Sequence, residues 1–231
     1  MANLKEIRNR ITSIGSTMKI TKAMKMVSAA KLKKAQDAIT AMRPYSNKLT
    51  ELLQNLSATL DADAGGVYSE QRKVAKVLLV VVTSNRGLCG GFNSSITKGT
   101  KNAIATTYKD TEVELLTIGK KGNDLLSKEF KVIDNQDAVF DELTFDNAAI
   151  IAEKLMQLFV DGAYDKIEIV YNSFKNAATQ VVHVEQFLPI QPVEGDATNS
   201  TDYLFEPQKE EIVSALIPKS LKTQLYKALR D

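Results

Sequence analysis

The sequence predicts an α/β protein in which a long N-terminal coiled-coil helix precedes a mostly parallel sheet with an antiparallel edge. Two observations carry this prediction. Leu4 and Ile7 open a series of apolar residues, spaced three and four apart, that continues to Leu60. After residue 66, apolar runs of strand length alternate with amphipathic helical segments, as in sheets whose parallel strands are joined by crossover helices.

The N-terminal helix is predicted over residues 3–60. Asn3 can cap its start, because Glu6 follows at capping-box spacing. Pro44 is expected to kink the helix or to remove one backbone hydrogen bond. A repeat of 3.5 residues sustained over this length indicates a coiled-coil seam. At about 1.5 Å per residue the helix is roughly 85 Å long, so about half should protrude from a compact body. Its apolar seam therefore needs a partner, in this chain or in another.

Residues 61–206 form the predicted α/β body. Residues 77–82 are all apolar, which indicates a fully buried central strand, and a glycine-rich loop follows at 84–91. Further strands are predicted at residues 112–118, 130–134, 166–171 and 179–188, and helices at 93–108, capped by Asn93, at 120–128 and at 145–160. The short polar link between the last two strands indicates an antiparallel hairpin at the edge of a Rossmann-like, mostly parallel sheet.

Residues 207–231 are predicted to begin a C-terminal helix. Turn residues at 61–66 end the first helix, and a polar loop at 189–201 and an extended piece at 202–207 precede the last one. Pro207 suits a first helical turn, whereas Pro218 should break the helix or start a new one. Leu221 opens a further apolar stripe, within which the sequence stops, so this helix is expected to be truncated.

Composition excludes several classes of protein. No apolar run approaches the eighteen or so residues of a membrane span, and the charged N-terminus does not resemble a secretory signal. Cys89 is the single cysteine, so an internal disulfide is excluded. With His183 as the single histidine, a conventional zinc site is excluded as well.

Charge is distributed unevenly along the chain. Residues 1–60 carry 11 Lys and Arg against 3 Asp and Glu, whereas residues 61–231 carry 19 against 25. Six lysines cluster in the middle of the first helix: Lys19, Lys22, Lys25, Lys31, Lys33 and Lys34. Because no aromatic residue precedes Pro44, the pattern argues against binding of single-stranded nucleic acid. It leaves an acidic protein surface as the partner, or a solvated face.

The residues that could carry chemistry do not form a catalytic constellation. The loop at 86–91 lacks both the GK[ST] of a phosphate loop and the GxGxxG of a dinucleotide site, so a structural turn or a protein contact by Arg86 is favoured. Cys89 has no base nearby in sequence and is expected to be semi-buried. His183 is interpreted as a strand histidine, and Asp141 and Glu142 have no paired carboxylate. We expect neither a cofactor nor a metal.

Four segments resemble one known family, the gamma subunit of bacterial F-type ATP synthase. They are residues 18–32, 83–91, 203–207 and 224–226, which match in order and spacing across the whole chain. The resemblance implies a non-catalytic rotor subunit that couples proton flow through a membrane ring to conformational changes at the catalytic subunits. It implies the alpha, beta and epsilon subunits and the membrane c-ring as partners, with no nucleic acid and no direct membrane insertion. It also implies a peripheral location on the cytoplasmic face of the bacterial plasma membrane.

The same resemblance assigns contacts by position. Contacts with the catalytic ring are expected at Lys19, Lys22, Met24, Lys25, Lys31, Lys33, Lys34, Arg86 and Cys89. Contacts with the membrane ring or the epsilon subunit are expected at Arg43, Tyr45, Tyr203 and Glu206. One departure is that family members continue into a second long helix, which is missing after Asp231. The alternative interpretation is an α/β domain whose basic helical arm binds nucleotide or nucleic acid.

Overall fold

The computed structural model describes residues 3–59, 67–176, 178–191 and 209–231. The predicted turn at 61–66 and the extended piece at 202–207 lie outside these residues, as does most of the loop predicted at 189–201. The described chain forms two compact units, Met1–Met42 and Arg43–Asp231. The segment boundaries predicted at 60/61 and 206/207 remain predictions.

Helix α1 extends from Leu4 to Thr59, as the heptad pattern predicted, and Pro44 lies inside it. Asn3 caps its start, since the Asn3 Oδ1 accepts a hydrogen bond from the backbone N–H of Lys5 at 3.2 Å. From Leu4 to Leu32 the large apolar positions of the stripe are exposed, and they include Leu4, Ile7, Ile11, Ile14, Met18, Met24 and Val27. Ile39, near the end of the first unit, is buried. The apolar seam is therefore open to solvent over the first thirty or so residues of the helix.

The second unit contains a five-stranded sheet. Its strands are β1 (Lys76–Val82), β2 (Glu112–Ile118), β3 (Val132–Asn135), β4 (Lys166–Asn176) and β5 (Thr179–Leu188), in the order β3-β2-β1-β4-β5. The pairs β3–β2, β2–β1 and β1–β4 are parallel, and β5 pairs antiparallel with β4. The predicted α/β class with an antiparallel edge is confirmed.

Helices cover both faces of this sheet. They are α2 (Phe92–Thr106), α3 (Lys120–Leu126), α4 (Phe145–Val160) and α5 (Lys209–Arg230), with a short 3₁₀ turn at Asp137–Phe140. Because successive side chains of a strand point to opposite faces, Leu78 and Val80 of β1 join the core that includes Phe159 of α4 and Leu225 of α5. The intervening Val77, Leu79 and Val81 join the core that includes Ile96 of α2 and Leu126 of α3. This burial on both faces explains why β1 is a continuous apolar run.

The prediction that Pro218 breaks the C-terminal helix was wrong, because α5 continues through it. A proline inside a helix costs about 3 kcal/mol. Ile217, Leu221 and Leu225 are all buried in the core shared with α4, and each buried side chain of this kind contributes about 1.5–3 kcal/mol. Tertiary packing therefore outweighs the local defect.

The predicted cap of α2 was also wrong. This helix begins at Phe92, and its N-cap residue is Gly91, two residues before the predicted cap Asn93. Asn93 lies in its first turn, and the Asn93 Oδ1 accepts a hydrogen bond from the backbone N–H of Ser84 at 3.0 Å. The amide is thus committed to the preceding loop rather than to the helix end.

Candidate functional site

The loop at residues 84–91 leaves the carboxyl end of the central strand β1. In an open α/β sheet this end, beside the point where the strand order reverses, is where ligands and partners usually bind. The Asn93 Nδ2 donates to the Ser84 Oγ at 2.9 Å and to the Arg86 carbonyl oxygen at 3.3 Å. The Ser84 Oγ also donates to the Arg86 carbonyl oxygen, at 2.5 Å. The two side chains therefore fix the backbone of the loop.

Cys89 is exposed, which corrects the expectation of a semi-buried side chain. The Asn93 Nδ2 lies 3.2 Å from the Cys89 Sγ, and the Ser84 Oγ lies 3.8 Å from it. The loop turns outward at this point because Leu88 and Gly90 both have positive φ, at 62° and 60°. Sequence reasoning recognised the glycines as a turn but missed Leu88, since its conformation depends on how Asn93 holds the loop.

The loop differs from a phosphate-binding loop in its residues. The first backbone N–H of α2, that of Phe92, already donates to the Cys89 carbonyl oxygen at 3.3 Å. The next residues, Asn93 and Ser94, supply no lysine at the phosphate-loop position. Among the described residues, no group of three His, Cys, Asp or Glu side chains is placed to hold a metal ion.

We therefore expect the purified chain to show no stoichiometric binding of ATP and no ATPase activity, because the loop lacks the GK[ST] lysine and hydroxyl that bind phosphates and Mg²⁺ in a phosphate loop. Isothermal titration calorimetry against the wild type and an Arg86→Gln variant checks this, and both titrations should be flat. A micromolar, one-to-one isotherm in the wild type that Arg86→Gln removes would contradict the prediction.

The basic positions of α1 lie on exposed parts of the first unit. Lys19, Lys22, Lys25, Lys31, Lys33 and Lys34 are all exposed, as is Met24. Among the residues of the first unit that the structure describes, Glu6 pairs with Arg10, and the six lysines have no acidic partner within ion-pair distance. These lysines form a run of uncompensated positive charge.

Arg43 and Tyr45, for which the resemblance implied contacts with the membrane ring or the epsilon subunit, have different environments. The Arg43 guanidinium lies 2.5 Å from the Asp231 Oδ1 and donates to the Phe174 carbonyl oxygen at 2.7 Å. Asp231 also accepts from the backbone N–H of Phe174 at 3.1 Å. Tyr45 is half-exposed. Sequence reasoning missed the Asp231 partner, which lies 188 residues away in sequence. Tyr203 and Glu206 lie outside the described residues.

A buried carboxylate at the amino end of the sheet was not singled out from the sequence. Glu114 of β2 is only 4% exposed, yet it is ionised. The Tyr164 hydroxyl donates to its Oε2 at 2.5 Å, the Lys76 Nζ lies 3.3 Å away, and Lys131 pairs with the other oxygen. Burial raises the pKa of Glu114, but the hydrogen bonds from Lys131, Tyr164 and Lys76 outweigh it and lower the pKa to about 2. This network holds the sheet together at the end opposite the loop.

Comparison with known proteins identifies the class of protein to which the chain belongs. A family model described as ATP synthase matches residues 3–231, so the chain is an ATP synthase subunit. The ATP synthase gamma chain of Flavobacterium psychrophilum is 68% identical over all of this chain and 81% of its own length. The gamma chain of Geobacter sp. is 42% identical with the same coverage. The chain belongs to the ATP synthase gamma-chain family.

Solved structures agree with this assignment. The chain matches a protein in the central stalk and c-ring structure of the Tetrahymena thermophila mitochondrial ATP synthase, with a TM-score of 0.66 and 26% identity over 91% of each chain. A chain of the Euglena gracilis mitochondrial ATP synthase rotor shares the fold, with a TM-score of 0.51 and 16% identity over 87% of this chain and 85% of that one. The resemblance inferred from residues 18–32, 83–91, 203–207 and 224–226 is confirmed, and the nucleotide- or nucleic-acid-binding alternative is not favoured. The gamma chain is the non-catalytic central-stalk subunit of the F-type enzyme.

Proposed function

We propose that this chain works as the rotor that couples proton flow through the membrane c-ring to conformational changes at the catalytic beta subunits. The observation that carries the proposal is the match to ATP synthase gamma chains over the whole chain, which includes the whole of α1 with its open apolar seam and basic run. In that role its partners are the alpha, beta and epsilon subunits and the c-ring. The central stalk and c-ring of the Tetrahymena enzyme, which the chain resembles, support this assembly.

The proposed place of work is the cytoplasmic face of the bacterial plasma membrane, where the chain would be held by its partners. The relatives from Flavobacterium psychrophilum and Flavobacterium johnsoniae are bacterial, which supports a bacterial membrane complex. In the part of the chain that the structure describes, no helix combines the length and the apolar character of a bilayer span. Attachment through the c-ring needs no span of its own.

We further propose that the basic run on α1 faces acidic surfaces of the catalytic ring. Lys31, Lys33 and Lys34 form its densest part, and all three are exposed. Charges of one sign on a rotating helix attract an acidic partner over about 8–10 Å without fixing one register. Such contacts would be weak individually, which suits a surface that has to move past its partner.

Other contacts proposed from the family have unequal support. Arg86 and Cys89 are exposed on the loop after β1, where they can reach the catalytic ring. The Arg43 side chain is 36% exposed in spite of its pair with Asp231, and Tyr45 is half-exposed, so both can contribute to the membrane-ring or epsilon side. The contacts of Tyr203 and Glu206 rest on the sequence resemblance.

The basic run is tested by changing Lys31, Lys33 and Lys34 together to glutamine. We expect the variant to bind a purified ring of alpha and beta subunits about threefold to tenfold more weakly at low salt, because each exposed pair is worth roughly 0–1 kcal/mol. The difference from the wild type should shrink as salt is raised. Biolayer interferometry over a series of salt concentrations measures both.

The matched control changes Lys98, Lys109 and Lys128 to glutamine, which removes the same charge from exposed positions that do not belong to α1. This control should bind as the wild type does. Equal binding by the wild type and the α1 variant at every salt concentration would refute the contact between the basic run and the ring.

A further inference from the structure

Leu88 is the most exposed large apolar side chain in the described part of the chain. It also has a φ of 62°, in the left-handed region that costs leucine free energy. Glycine would adopt this φ without strain, and Gly87 and Gly90 already flank the position. The fold of the isolated chain therefore gains nothing from a leucine here, since the side chain is both strained and solvated.

The loop presents Leu88 in one fixed arrangement. Asn93 and Ser84 hold the Arg86 carbonyl oxygen from one side, at 3.3 and 2.5 Å. The Asn85 Nδ2 donates to the Asp137 carbonyl oxygen at 2.9 Å, and the Asn85 Oδ1 accepts from the backbone N–H of Lys120 at 2.9 Å. The loop is thus tied to α2, α3 and the 3₁₀ turn. A side chain on such a loop binds without a further ordering cost, which favours its use as an interface anchor.

Two exposed basic residues lie on the loop of Leu88 or are linked to it. Arg86 lies two residues away, and Lys120 is joined to the loop through Asn85; both side chains are exposed. Neither has an ion-pair partner among the residues that the structure describes, whereas the neighbouring Lys121 pairs with Asp124. An apolar tip on a loop that carries or contacts two such basic residues is complementary to an apolar socket with carboxylates at its rim.

We propose that Leu88 is the apolar anchor of the contact between this loop and the catalytic ring, and that it inserts into a socket lined by apolar side chains and rimmed by carboxylates. The proposal rests on the proposed rotor function, which supplies the ring as the partner. Leu88 provides affinity by leaving water, and Arg86 and Lys120 provide attraction and orientation.

The experiment compares Leu88→Gly, Leu88→Met and Arg86→Gln with the wild-type full chain, using biolayer interferometry against the purified ring of alpha and beta subunits. Leu88→Gly removes the side chain and relieves the strained φ, so the variant should fold at least as stably, as thermal unfolding can verify. We expect it to bind about tenfold or more weakly through faster dissociation, since burying a leucine contributes that much. Leu88→Met should retain binding within about threefold, because it keeps the apolar volume.

The outcomes separate this inference from the proposed function. A loss with Arg86→Gln but none with Leu88→Gly would overturn the anchor and leave the loop contact standing. A wild-type chain that does not bind the ring at all would overturn the proposed function, and the anchor with it. Leu125→Ala changes another exposed leucine, on α3, and should bind as the wild type does; an equal loss with this control would also overturn the anchor.

Discussion

Replacing Gly119 with alanine is expected to destabilise the second unit by about 3–5 kcal/mol, a range reached by few single substitutions. Gly119 links β2 to α3 with a φ of 117° and a ψ of 136°, a conformation that only glycine adopts freely. A Cβ at this position would lie 2.1 Å from the carbonyl oxygen of Thr83, which belongs to the backbone and cannot turn aside. The pairing of β1 with β2 continues to Val82 and Ile118, so the residues that follow, Thr83 and Gly119, are held next to each other. Alanine at 119 would therefore meet both the backbone strain and the clash.

Urea denaturation followed by circular dichroism measures this loss of stability. The matched control is Gly87→Ala, since a Cβ at Gly87 meets no atom within 4 Å and the backbone there is not left-handed. This control should lie within about 0.5 kcal/mol of the wild type. A Gly119→Ala variant as stable as the control would show that the backbone of Thr83 moves away at little cost.

Changing Glu114 to glutamine is expected to lower the free energy of unfolding by about 3 kcal/mol at pH 7. The folded pKa of about 2 lies below the ordinary value of 4.5, so ionisation of Glu114 favours the folded state. This contribution is fully present above pH 4.5 and is lost as the pH falls through about 2. Glutamine keeps the shape of the side chain but removes the negative charge. That charge forms ion pairs with Lys76 and Lys131 and accepts the hydrogen bond from the Tyr164 hydroxyl.

Denaturant unfolding of the wild type and the variant at pH 7 and at pH 3 measures the difference between them. The difference in unfolding free energy between the wild type and the variant should be smaller at pH 3, because part of the contribution of Glu114 is lost there. Acid effects on other groups are common to both proteins and cancel in this difference. Glu129→Gln is the matched control: Glu129 is 54% exposed and pairs with Lys101, so its loss should cost less than about 1 kcal/mol. A gap between wild type and Glu114→Gln that is the same at both pH values would argue against a charged Glu114.

Patterns that repeat within one element could be predicted from the sequence. The heptad series of α1, the apolar run of β1 and the amphipathic stripe of α4 each combine many residues, and the observed α4, Phe145–Val160, has the predicted bounds. The alternation of strands and helices then determined the parallel sheet, because parallel strands require crossover connections. The gamma-chain assignment also came from the sequence, since it rested on segments spread over the whole chain.

Local signals failed where distant contacts decided the outcome. Pro218 has the same propensity to break a helix wherever it occurs, and it is tolerated in α5 because Ile217 and Leu221 are buried in the core shared with α4. Asn93 is a residue type that often caps helices, but its side-chain amide is hydrogen-bonded to the backbone N–H and the hydroxyl of Ser84. In both cases the deciding contact is with residues outside the helix, and the local sequence pattern of the helix does not indicate them.

The sequence by itself determined the class of fold, the long basic helix and the family, because these depend on periodicity, charge and motif order. The tertiary structure alone decided which polar groups are paired and which are free. Asp231 meets Arg43 across 188 residues, and Glu114 keeps its charge in a buried site only because Lys76, Lys131 and Tyr164 converge on it. Leu88 faces solvent, with a positive φ, on a loop whose Arg86 carbonyl oxygen is held by the Asn93 side chain. Such pairings depend on the distance between side chains in space, which the order of residues along the chain does not contain.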